Sequence, residues 1–169
     1  MKTYTTADVI RRSQVLIVSM AALFGTITLV NNFTDYNSYA DLIGRILNMS
    51  DTSANESRRS RAVTSTMFHH RFYWAIITLE IIFTFNLIIG TCQLLSNLNA
   101  PRNEFHEAKK FAIIGFSTAL FVYQTLYVIL LNEWFDLDYS IHRNVFDWAR
   151  SNIEYMFFGL LYLLFVKDN

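Results

Sequence analysis

From Phe72 to Leu95 the chain reads FYWAIITLEIIFTFNLIIGTCQLL. The run is apolar for long enough to cross a bilayer, since about 20 helical residues at 1.5 Å each match a hydrocarbon core of roughly 30 Å. Near its middle stands one carboxylate, Glu80. A charge at that depth costs several kcal/mol unless it is protonated, paired or wetted. The rest of the chain therefore has to supply what surrounds Glu80.

Three more apolar segments accompany it. Residues 14–30, QVLIVSMAALFGTITLV, carry no charge. They run on past the small residues Ala21, Ala22 and Gly25 that would mark a signal-peptide cleavage region, so a retained span is expected. Ala21 and Gly25 are four apart, a spacing that lets two membrane helices approach closely. Residues 111–131, FAIIGFSTALFVYQTLYVILL, form a further span. Ser117 and Gln124 lie seven apart on it, and polar groups in lipid need partners, so this face is expected to look inward. Residues 147–166 are apolar only from Ile153 onward; they span with some bilayer adjustment or lie as a re-entrant or interfacial segment.

The expected architecture is one all-α domain over residues 1–169, an integral membrane four-helix bundle with a long outer loop, 31–71, between the first two spans. Within that loop Leu42, Ile43, Ile46, Leu47 and Met49 recur at helical spacing, as in a short amphipathic helix at the interface. The Ser-rich stretch SDTSANESRRSRAVTST that follows reads as a mobile loop. After the second span, Pro101 supplies a stop, and RNEFHEAKK a polar turn with a helical start. Lys and Arg divide evenly between the two sides. Arg11–Arg12 and Lys109–Lys110 directly precede spans, however, and on the positive-inside rule this places both termini in the cytoplasm and Asn55 outside.

Lys+Arg and Asp+Glu are both 14. With no basic excess to neutralise phosphates, nucleic acid is not expected as a partner. Cys92 is the single cysteine, so neither an intrachain disulfide nor a cysteine-based metal site can form. The four histidines offer no His-x-x-x-His pair for zinc. No glycine-rich phosphate loop and no nucleophile-elbow motif is present. An enzyme is the least supported class, and no cofactor is expected.

Down the helix containing Glu80, one face collects Tyr73, Glu80, Thr84, Leu87 and Thr91, and another Asn86, Gly90, Gln93 and Asn97. The intramembrane polar candidates are Glu80, Thr84 and Gln124. Glu80 is expected to face protein, with Thr84 or a polar group of the first or third span as its partner. An outer-face polar set comprises Asn31, Asn32, Asp35, Tyr36, Asp51, Glu133 and Trp134, with Asp136 beside it. The first and third spans end on the same side, so Asp35 or Tyr36 is expected within reach of Glu133 or Trp134. Converging oxygens there would suit Ca²⁺ or Mg²⁺, while capping and turn formation are the simpler uses of Asp35 and Asp51.

The order of Asn31-Asn32-Phe33-Thr34-Asp35-Tyr36, then Ile46-Leu47-Asn48-Met49-Ser50-Asp51-Thr52, Glu80, Phe105 with Ala108-Lys109-Lys110, and Glu133-Trp134-Phe135 resembles a bacterial family of predicted small integral membrane proteins. That resemblance covers nearly the whole chain. It implies a four-helix protein of the bacterial inner membrane and no particular activity. Two readings follow. The first is an accessory or structural subunit of a larger membrane assembly, in contact with lipid and other subunits. The second is a small transporter or ion-binding protein using Glu80 and the outer carboxylates.

Overall fold

A computed structural model describes residues 5–52 and 56–167, and its regular structure is helical. The marker residue Asn55 lies outside the described residues. Helix α1 spans Thr6–Thr34 and α2 Tyr36–Leu47. A 3-10 turn at Glu56–Arg61 leads to α3, Thr66–Ser96. The short α4, Arg102–Glu107, precedes α5, Lys110–Leu120. Helix α5 runs directly into a π-helix over Phe121–Trp134. A 3-10 turn at Leu137–Tyr139 then precedes α6, Arg143–Phe165.

Among the described residues three helices are long and apolar enough to cross a membrane: Thr6–Thr34, Thr66–Ser96 and the composite Arg102–Trp134. Helix α6 is not among them, because Arg143, Asp147, Arg150 and Glu154 occupy its first half. It nevertheless packs along α5, the π-helix and α1.

The long loop expected over 31–71 is mostly helix. Helix α1 continues to Thr34, α2 follows after Asp35 alone, and α3 starts at Thr66. Both spans also begin earlier than their apolar runs, for a local reason. At α1 the Thr5 hydroxyl accepts from Asp8 N at 3.2 Å, while the Asp8 carboxylate accepts from Thr5 N at 3.0 Å. This reciprocal cap satisfies two amides that a helix start leaves open. At α3 the Ser65 hydroxyl accepts from Phe68 N at 3.4 Å. Helix α2 is the expected amphipathic element and buries Ala40, Ile43, Ile46 and Leu47. The described part of the Ser-rich stretch is docked: Arg58 pairs with Asp136, and the Arg61 guanidinium lies 4.6 Å from the Trp134 ring centre.

Helices α1 and α3 cross at Gly25, where an added Cβ would sit 2.8 Å from the Phe83 ring and against Thr84. Helices α3 and α5 cross at Gly90, where a Cβ would meet the Ala112 backbone at 2.6 Å. At Gly25 the missing side chain leaves room for those of Thr84 and Phe83, and at Gly90 it lets backbone meet backbone, a close approach that drives helix association in lipid.

The end of the molecule that holds the starts of α1 and α5 and the ends of α3 and α6 is referred to as the near end. There the last carbonyls of α6, which no amide of the helix can reach, are taken by other elements. Gln14 donates to Val166 O at 3.0 Å, and the buried Lys109 ammonium to Leu163 O at 3.2 Å. Arg11 donates to Leu98 O and Ala100 O at 3.0 and 2.7 Å, its guanidinium over the Phe105 ring. The opposite, far end is built from α2, residues 48–52 and 56–63, and the segment from Trp134 to His142.

Candidate functional site

Glu80 is 1% exposed, about 20 Å along α3 from Thr66. Its partner comes from α1: Asn32 donates from Nδ2 to Glu80 Oε2. Asn32 is fixed in turn by Tyr73, whose hydroxyl donates to Asn32 Oδ1 at 3.1 Å. The two bonds use opposite ends of one amide, so they settle its orientation. The antiparallel crossing at Gly25 and Thr84 explains the meeting. Two turns beyond Gly25 along α1 lies Asn32, and one turn back from Thr84 along α3 lies Glu80.

Glu80 also lines a cavity of about 450 Å³. Asn32, Tyr73 and Glu80 form its polar wall, Phe24 adds a second residue of α1, and Tyr39, Tyr127 and Trp148 bring α2, the π-helix and α6 to it. Trp148 stands edge-on to Tyr127 with ring centres 5.8 Å apart, and to Tyr123 at 5.4 Å. Helix α2 covers the cavity with Leu42 and Ile43. The rim includes the exposed residues Ile27, Asn31 and Asn144, so the opening lies between α1 and the start of α6.

The sequence candidates are distributed as follows. Thr84 is buried beside Glu80, but its hydroxyl makes no hydrogen bond; Asn32 takes the role expected of it. Gln124 and Ser117 do not look inward: both are exposed on the outside of the bundle. On α5, before the winding changes at Phe121, the inward positions are Ala112, Gly115, Phe116 and Ala119, so Ser117 points out, and Gln124, seven residues on, shares its exposed face. In an i→i+5 spiral inward positions recur roughly every four to five residues, and Tyr123, Tyr127 and Leu131–Asn132 take them. Gln124, Glu133 and Trp134 are turned out.

The outer-face set does not form one cluster. Asn31 lies at the cavity rim and Asn32 inside. Asp35 is exposed at the α1–α2 junction, with no side-chain cap bond to α2. Tyr36 packs on α3, its ring 5.3 Å from Tyr73 and its hydroxyl 2.9 Å from His70 Nδ1. Glu133 accepts from the Asn132 amide at 3.2 Å, and Trp134 lies under Arg61. Among the described residues no hydrogen bond, ion pair or ring contact joins Asp35 or Tyr36 to Glu133 or Trp134. The 48–61 segment makes the connection instead. Asp51 accepts from His142 at 3.1 Å and lies 3.5 Å from Arg45, Thr52 bridges Ser140, and Arg58 meets Asp136. The His142 hydrogen bond, and then the Arg45 charge, hold the Asp51 carboxyl below its usual range. No three His, Cys, Asp or Glu side chains gather among the described residues, so the oxygen-rich metal cluster is not assembled there.

Sequence reasoning missed Phe24, Tyr39, Tyr127, Asn144 and Trp148 as cavity walls. The only local signal was their bulk within or beside apolar segments, which equally suits a plain core. No curated protein and no solved structure matches the chain. A family model does match, over residues 10–168, nearly its whole length. The chain therefore belongs to the DUF2165 family of predicted small integral membrane proteins.

Proposed function

We propose that this is a small membrane-embedded binding protein that holds a cation against Glu80. The observation that carries the reading is that this buried carboxylate forms part of the wall of a cavity within the bundle. Intramembrane carboxylates are costly and mark ion or substrate sites by default. A cavity open on one side, between α1 and the start of α6, suits binding, or one half of a transport cycle. The accessory-subunit reading competes with it and gains support from Gln124, a polar side chain on the outer surface of a span, where lipid offers no hydrogen-bond partner.

The proposed setting is the bacterial inner membrane, with four crossings, the fourth by α6, and both termini cytoplasmic. The far end then faces outside. A cysteine placed at Ser57 in a Cys92→Ser background tests the orientation: it is labelled by an impermeant reagent in intact cells, and labelling only after permeabilisation reverses the assignment.

The binding test compares the wild type with Glu80→Gln in lipid nanodiscs, titrated calorimetrically with Na⁺, K⁺, Mg²⁺, Ca²⁺ and a quaternary ammonium. Gln keeps an oxygen to accept from Asn32, so folding is expected to survive while cation binding falls at least tenfold. Glu80→Leu orphans the Asn32 amide as well and is expected to lose about 1–3 kcal/mol of stability. Equal heats for wild type and Glu80→Gln with every cation would remove the binding reading. Stoichiometric recovery of a second membrane protein in mild detergent would then favour the accessory subunit.

A further inference from the structure

We infer that the occupant of the Glu80 cavity is an amphipathic organic cation, an ammonium group carrying apolar substituents, that enters sideways between α1 and α6. The inference rests on the cation reading above and narrows it. An inorganic divalent ion takes six or more oxygens. Around Glu80 the fold supplies one carboxylate, and one oxygen of it is already engaged by Asn32. Among the described residues no second acidic side chain and no histidine lines the cavity. A bare ion would also leave most of about 450 Å³ unfilled, a volume in the range of small-molecule sites.

What the cavity does supply is aromatic. Phe24, Tyr39, Tyr73, Tyr127 and Trp148 line it together with Glu80. Aromatic faces attract weakly hydrated cations such as quaternary ammonium groups, which cannot donate hydrogen bonds and so need no ring of oxygens. One carboxylate balances the single charge. Ile27, Leu42, Ile43 and Val145 provide apolar wall for the substituents.

The route in follows from the rim. Ile27 is 52% exposed and Trp148 40%, with Asn31 and Asn144 exposed beside them. These residues belong to the last two turns of α1 and the first two of α6, so the opening has an apolar edge and a polar edge. That is the boundary where an amphipathic cation partitions, its charge toward water and its chains toward lipid. Helix α2 lies across the cavity with Tyr39, Leu42 and Ile43 on its wall, which leaves the α1–α6 side as the entry.

The test titrates the full-length protein in nanodiscs with tetrapropylammonium, with its neutral counterpart of similar shape tetrapropylmethane-like alcohols such as 4-propyl-4-heptanol, and with Na⁺, K⁺, Mg²⁺ and Ca²⁺. Tetrapropylammonium is expected to bind at least tenfold more tightly than the neutral alcohol, and to lose at least tenfold in Glu80→Gln. Trp148→Leu is expected to weaken it by about tenfold, while Trp134→Leu, outside the cavity, leaves it unchanged. Circular dichroism and elution profile establish that each variant is folded. Glu80-dependent binding of an inorganic cation without tetrapropylammonium binding would overturn the organic-cation inference and leave the broader reading standing. Absence of Glu80-dependent binding for every cation would overturn both. Equal affinity for the neutral alcohol would show a plain apolar cavity and overturn this inference as well.

Discussion

The two ends of the molecule are held together by different physics. At the near end backbone meets backbone: Gly90 lies on the Ala112 peptide, and Arg11, Gln14 and Lys109 donate to main-chain carbonyls. At the far end side chains meet side chains across loops, through Asp51–His142, Arg58–Asp136 and Arg61 on Trp134. The near end is close-packed around its crossing, whereas the far end has the Glu80 cavity beneath α2. The near-end acceptors are carbonyls, which acid does not neutralise, whereas the far-end acceptors are carboxylates, which lose their charge in acid. The difference puts rigidity at one end and adjustable contacts at the end that holds the cavity.

The sharpest way to break this contrast is to make one substitution at both ends. Gly90→Ala pushes a Cβ to 2.6 Å from Ala112 N and 2.8 Å from Ala112 Cα, main-chain atoms that cannot move without parting α3 from α5. Overpacking of this kind costs about 1–3 kcal/mol. Gly44→Ala in α2 meets the His69 ring at 3.0 Å, a side chain hydrogen-bonded to Val63 O at 2.6 Å but able to give by a few tenths of an ångström without parting two helices. The gain in helix propensity, up to about 1 kcal/mol, is expected to offset that contact, leaving stability nearly unchanged. Thermal unfolding in detergent measures both. Similar losses at the two sites would show that the far end is packed as tightly as the near one.

Next in size is Arg58→Gln. The Asp136 side chain is 2% exposed and its other oxygen has no hydrogen bond, so losing Arg58 leaves a buried carboxylate without a counter-charge. Breaking a fully buried pair costs about 3–5 kcal/mol. The Arg58 side chain is 44% exposed and screened, so about 1–2 kcal/mol is expected here. Concentrated salt should narrow the gap between wild type and variant, because it weakens the pair in the wild type. A gap that stays constant in salt would mean the contact acts through packing rather than charge.

Much of this fold was legible in the sequence, and the failures have physical causes. The apolar runs gave three spans, and the 3.6-residue spacing of Ile43, Ile46 and Leu47 gave α2. Glu80 stood out because a carboxylate in lipid must have a reason to be there. The pairing of Asn32 with Glu80 was obscured because NNFT reads as polar loop although α1 continues through it to Thr34. Ser117 and Gln124 do share a face, but small and aromatic side chains, Gly115, Phe116, Ala119 and Tyr123, take the inward one, so the need of a polar group for a partner misleads there. The cavity walls were invisible for a different reason. Trp148 and Phe24 meet across more than a hundred residues, and nothing local separates an aromatic that lines a cavity from one that fills a core.

The smallest expected effect comes from Asp51, and its dependence on pH separates the two ends most cleanly. His142 donates to its carboxylate at 3.1 Å and Arg45 lies 3.5 Å away, so the folded protein favours the ionised form and the pKa is lowered. A group with a lowered folded-state pKa contributes its stability in full above the unfolded value, about 3.9 for Asp, and loses it as the pH falls through the lower folded value. Asp51→Asn is therefore expected to unfold at a slightly lower temperature than the wild type at pH 6. That gap should close as the pH drops below about 4, where the wild type also protonates. The gap for Gly90→Ala, set by steric contact, should stay open over the same range. If the Asp51→Asn gap persists in acid, the carboxylate's charge is not what ties the 48–52 segment to His142, and the backbone contacts there, Ile141 N to Asp51 O at 3.4 Å and the Thr52–Ser140 bridge, hold it instead.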